Sequence, residues 1–193
     1  WLRVMRYEWI AGMPLVWSIP RQIVACPTQR SPALLVALSF GQSNAANAVR
    51  GRHTPDPRVL NFHEGRCFAG ADPLPGATGT GGSVWSRLGD RLLDSRRFEQ
   101  IVFAGIAVDS AEIARWQPGG DLHPRLLSTL HAMSAAGLEP THLLWHQGER
   151  DRQLATPAAD YIASFEAMLD AIRAAGISAP IYVAQATYCR GHD

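Results

Sequence analysis

Lysine is absent from this chain of 193 residues, and all 18 basic residues are arginine. Acidic residues number 17, so the net charge is only +1. Without an excess of either sign, the chain has no electrostatic hold on nucleic acid or an anionic membrane. Cysteine is scarce as well. Cys26, Cys67 and Cys189 are too few and too scattered for a disulfide framework or a zinc site. They are expected as free or buried thiols, with one disulfide as the alternative. No apolar run reaches the roughly 18 residues of a membrane span. Internal repeats and low-complexity tracts are missing too.

What is present is ordinary for a folded domain: 47% apolar residues and 18% charged residues. The length suits one domain with a sizeable core. The chain begins at Trp1 without an initiator Met, as a fragment or a processed form would. Residues 9–26 are fairly apolar, follow Arg3 and Arg6, and end in Ile23-Val24-Ala25-Cys26, a run like a lipoprotein cleavage site. Pro14, Pro20, Arg21 and Gln22 interrupt the apolar core that a signal peptide needs. Residues 1–32 are therefore read as an N-terminal extension, and the localisation is left open, secreted and periplasmic included.

From residue 33 the pattern becomes regular. Leu34 to Phe40 reads as a buried strand, and residues 44–50 as a helix start after Ser43. Val59 to His63 is a short strand, followed by a Gly- and Pro-rich loop over 64–82. Ser83 is placed to cap a helix over 84–95, where Val84, Trp85, Leu88, Leu92 and Leu93 recur at helical spacing. Further strands are expected at 101–108, 141–146 and 181–184, and further helices at 122–136 and 158–175. Strands alternating with helices imply βαβ units and a parallel sheet of five strands.

Polar runs follow two of these strands. Gly41-Gln42-Ser43-Asn44 follows the first, and His146-Gln147-Gly148-Glu149 follows the fourth. In a parallel α/β sheet the carboxyl ends of the strands share one edge, and sites are built there. Ser43 is thus either an exposed nucleophile or an inert helix cap. Gly76 to Gly82 could bring backbone N–H groups close to a ligand, but it lacks the Lys-Ser/Thr of a phosphate loop. The cluster from His146 to Asp151 is either a site or a structural ion-pair network with Arg150, and its spacing does not suit a metal.

Three motifs in one order carry a resemblance. Gly41-Gln42-Ser43-Asn44, Gly81-Gly82-Ser83-Val84-Trp85 and Trp145-His146-Gln147-Gly148-Glu149-Arg150-Asp151 resemble the SGNH (GDSL-like) hydrolases, in their sialate O-acetylesterase and acetylxylan-esterase branch. The resemblance covers residue 33 to the end. It implies a flavodoxin-like, three-layer α/β/α sandwich with strands ordered 2-1-3-4-5. It also implies a serine esterase that removes O-acetyl groups from carbohydrates through an acyl-enzyme, without metal or organic cofactor. Ser43 would be the nucleophile. The N–H groups of Ser43 and Gly82, and the side chain of Gln147, would bind the oxyanion. Gln42, Asn44, Glu149 and Asp151 would bind substrate or support the site. The family's Asp-x-x-His follows the last strand, whereas this chain reaches only His192-Asp193, in the wrong order. That departure implies truncation before the base and an impaired enzyme. A silent carbohydrate-binding domain and a nucleotide-binding α/β protein are the rival readings.

Overall fold

The computed structural model describes residues 7–10, 13–16 and 21–186. Cys189, His192 and Asp193 lie outside the described residues, as does much of the leader-like N-terminal run. Strands β1 (Tyr7–Ile10) and β2 (Met13–Val16) pair as a two-stranded antiparallel sheet.

The main sheet is built from β3 (Ile23–Val24), β4 (Leu34–Gly41), β5 (Val59–His63), β6 (Arg66–Ala69), β7 (Gln100–Gly105), β8 (His142–His146) and β9 (Ile181–Val183). Their order is β3-β6-β5-β7-β4-β8-β9. The expected five parallel strands are β4, β5, β7, β8 and β9, and they are parallel. Two expectations are corrected. The sheet has seven strands, because β6 and β3 add an antiparallel edge. In addition, β7 rather than β5 adjoins β4, so the five parallel strands run 2-3-1-4-5.

The added edge explains itself locally. Glu64 and Gly65 both take positive φ, 45° and 74°, and this tight turn folds β6 back on β5 with His63 opposite Arg66. The Gly- and Pro-rich composition of 64–82 hid that strand. Ile23 and Val24, inside the expected extension of residues 1–32, then pair with Phe68 and Cys67. This register brings Cys26 to Cys67, and the two form a disulfide. The expectation of free thiols is thereby corrected. The partners lie 41 residues apart in sequence.

The helices are α1 (Val84–Asp94), α2 (His123–Ala135), α3 (Glu149–Gln153) and α4 (Ala158–Ala174). Ser83 caps α1 as expected, its hydroxyl accepting from Trp85 N–H at 3.2 Å. Along β4, Val36, Leu38 and Phe40 join the core shared with α2 and α4, while Leu35 and Ala37 join the core under α1. Each face of the strand is thus covered, which makes three layers and explains the unbroken apolar run. The expected helix start at 44–50 is instead a single 3-10 turn, Ser43–Ala45. It stops because Val49 leaves to form a β-bridge with Gly82. No helix among the described residues is long and apolar enough to cross a membrane.

Candidate active site

The two polar runs meet. Gly41 at the end of β4 stands opposite His146 at the end of β8. Gly41 has φ of +128°, and a Cβ there would collide with the His146 carbonyl. Glycine is therefore what allows the strand ends to touch. Gln42 N–H donates to His146 O at 3.0 Å. The Gln42 side-chain oxygen accepts from Gly148 N–H at 3.3 Å and Arg150 N–H at 3.0 Å. Gln42 thus joins the first motif to the N-terminus of α3.

Beneath this joint, Phe40, Trp116 and Trp145 pack edge to face, with ring centres 4.8 to 5.9 Å apart. All three are fully buried. Such packing gives the strand ends a rigid floor.

Ser43 opens the 3-10 turn and is partly exposed. Its carbonyl accepts from Ala46 N–H at 3.0 Å. The N–H groups of Ser43 and Asn44, first in the turn, donate to no group among the described residues. Beside Ser43, the Asn44 amide donates to Glu149 Oε1 at 2.5 Å. His146 Nε2 lies 3.9 Å from that same oxygen. Asn44, Glu149 and His146 therefore form one polar group next to Ser43. No histidine among the described residues hydrogen-bonds Ser43 Oγ.

The two further oxyanion donors expected from the sequence make hydrogen bonds within the fold. Gly82 N–H donates to Val49 O at 2.7 Å, closing the β-bridge. Gln147 is buried, and its amide nitrogen donates to Ala111 O at 3.1 Å and to Asp151 Oδ2. Rotating that amide would set its oxygen against a carbonyl and a carboxylate, so the assignment is settled by charge. Asp151 in turn accepts from Ile113 N–H and from the Thr156 hydroxyl, both at 2.9 Å. Gln147 and Asp151 thus tie the start of α3 to the turn at Ile113–Arg115.

The Gly76–Gly82 segment is a clamped strap rather than a phosphate cradle. Thr78 N–H donates to Ala107 O, Gly81 N–H to Asn47 O and Gly82 N–H to Val49 O. Asn47, which the sequence reading passed over, is the clamp. It is 2% exposed. Its amide donates to Leu74 O at 3.0 Å and Ala77 O at 3.2 Å, and its oxygen accepts from Leu74 N–H at 2.6 Å. One signal was available: a lone amide within Ala45-Ala46-Asn47-Ala48-Val49 must find partners if buried.

The strand ends thus bring together a partly exposed serine, a buried carboxylate and several amides. The sequence profile of the family described as carbohydrate esterase, sialic acid-specific acetylesterase matches residues 34–188. The chain belongs to that family, in agreement with the resemblance drawn from the three motifs. Among solved structures, a protein from Arabidopsis thaliana superposes with a TM-score of 0.69 at 18% identity, over 84% of this chain and 77% of that one. NanS superposes with a TM-score of 0.57 at 19% identity, over 83% of this chain and 70% of that one. At these identities the likeness speaks for the fold alone. No curated protein matches the sequence.

Proposed function

We propose that the protein is a serine esterase that removes O-acetyl groups from a carbohydrate, with Ser43 as nucleophile. The observation that carries this reading is the position of Ser43. It stands at the end of the central strand, first in a short turn whose leading N–H groups point outward from the fold's own hydrogen bonds. In this reading Ser43 Oγ attacks the acetyl carbonyl while a general base takes its proton. The carbonyl oxygen becomes an oxyanion held by the N–H groups of Ser43 and Asn44. The sugar leaves with a proton, and water then cleaves the acetyl-serine to release acetate. Glu149 acts through Asn44, holding the turn in place, and Gln42, Gln147 and Asp151 hold α3 against it. Gly82 shapes the strap, its N–H being spent on Val49 O.

Acetate release from O-acetylated sialate and from acetylated xylan tests the reading. Ser43→Ala should lower release by several orders of magnitude, because members of such a constellation act as a unit. Equal turnover by Ser43→Ala would overturn the assignment. The rival reading, a domain that binds acetylated sugar without cleaving it, makes the opposite prediction. Sugar binding without acetate release from the wild-type chain would decide for it.

A further inference from the structure

The chain stays beside β4 after β7 ends. Ile106 N–H donates to Ser39 O at 3.0 Å, and Val108 N–H to Gly41 O at 3.1 Å. The next residues, Asp109 and Ser110, therefore leave the sheet beside the point where Gln42 and Ser43 leave it, one strand spacing or roughly 5 Å away. Their turn is held at both ends. Asp109 N–H donates to the Thr78 hydroxyl at 2.7 Å, and Ala111 O accepts from the Gln147 amide at 3.1 Å. Ala111 N–H closes the turn on Val108 O at 3.2 Å.

Ser110 lies in the left-handed region, at φ of +54°. Glycine would take that conformation without strain. Ser110 is exposed, so packing gives no reason for its side chain. Its hydroxyl donates to Asp109 Oδ2 at 3.4 Å. The strained residue thus steadies a carboxylate. The other carboxylates around Ser43 are committed. Glu149 receives the Asn44 amide, and Asp151 receives Ile113 N–H and the Thr156 hydroxyl. The charge of Glu112 acts on Arg115. Asp109 is half-exposed and joins no ion pair among the described residues. An ionised carboxylate accepts hydrogen bonds and donates none. Turned towards a developing oxyanion it would oppose the reaction. It suits the alcohol half of the ester, where a sugar offers hydroxyl donors to make charge-assisted bonds.

We propose that Asp109 reads the sugar: its carboxylate accepts from the hydroxyl next to the acetylated one while the ester lies at Ser43, and Ser110 holds the carboxylate in place. The inference rests on the esterase reading above and adds what the site requires of the alcohol half, a free hydroxyl beside the ester. The ester of a simple alcohol would gain nothing from Asp109.

Calorimetry on a chain carrying Ser43→Ala, so that the ester survives the measurement, tests this. The two ligands are a monoacetylated methyl xyloside with a free hydroxyl beside the ester, and its analogue with hydrogen in place of that hydroxyl. With Asp109 present the first should bind about tenfold more tightly, the low end for a hydrogen bond to a charged group because Asp109 is half-exposed. Asp109→Ala should bind the two within about twofold, a comparison that general destabilisation does not move. Asp109→Asn keeps one acceptor oxygen without the charge and should retain a preference of about threefold. Absence of binding, no preference with Asp109 in place, or a preference that survives Asp109→Ala would overturn the assignment. Ser43-dependent acetate release by the parent chain without the hydroxyl preference would overturn it and leave the esterase reading standing. A preference removed by Asp109→Ala, in a parent chain that releases no acetate, would do the reverse.

Discussion

Replacing Asn47 by alanine should be among the most damaging single changes in this protein. Its side chain makes three hydrogen bonds, to both backbone groups of Leu74 and to Ala77 O. Each bond contributes about 1 kcal/mol net, and a buried group left without its partner costs about 1–3 kcal/mol. Water reaches this position poorly, at 2% exposure. The expected loss is therefore about 3–5 kcal/mol, at the upper end for a point substitution. For a chain of this length that lowers Tm by on the order of 10 °C. Urea unfolding followed by tryptophan fluorescence measures it directly. Asn47→Asp is the sharper control. It keeps the oxygen that accepts from Leu74 N–H but sets a second oxygen against two carbonyls, so it should be no more stable than Asn47→Ala. A loss under about 1 kcal/mol for Asn47→Ala, or wild-type stability for Asn47→Asp, would refute the clamp.

Acidification should act through His63. Burial first, and then the charges of Arg125 and Arg21, lower its pKa from 6.5 to about 3. The folded value lies below the unfolded one, so stability is fully present above about pH 6.5 and is lost as pH falls towards 3. The slope is at most about 1.4 kcal/mol per pH unit. His63→Gln should flatten that dependence, and parallel curves for the two proteins between about pH 6 and 4 would contradict it. Reduction of Cys26–Cys67, which closes a separation of 41 residues, should cost about 4 kcal/mol on the chain-entropy account. Thermal melts with and without dithiothreitol read this, and Cys67→Ser in place of reduction should match; unchanged melting would refute it.

The parallel core of the sheet was legible because burial on both faces writes unbroken apolar runs, as in Leu34 to Phe40. Helix α1 was legible from Ser83 and the spacing of its apolar residues. Strand order was not, because which strand lies beside β4 depends on how whole layers pack. The edge strands were hidden for another reason. Arg66 to Ala69 carries a weak pattern inside a loop-like composition, and Ile23–Val24 is only two residues long. At the site, the sequence pointed to Ser43 and to the meeting of its motif with His146–Asp151. It could not say which N–H groups the fold itself would consume. The engagement of Gly82 by Val49, and of Gln147 by Ala111, depends on pairings 33 and 36 residues apart. For Asn47 the single amide among small apolar residues was the available hint.

The contact between Gly41 and the His146 backbone has a consequence for how such a site can diversify. Strands β4 and β8 abut with no side chain between them, so their tips behave mechanically as one part. Neither can be re-aimed without dragging the other. Changes in what the site accepts must then come from segments that hang off this joint, such as the stretch after Asn47 and the approach to α2. An engineer seeking new substrates would randomise those and leave the joint untouched.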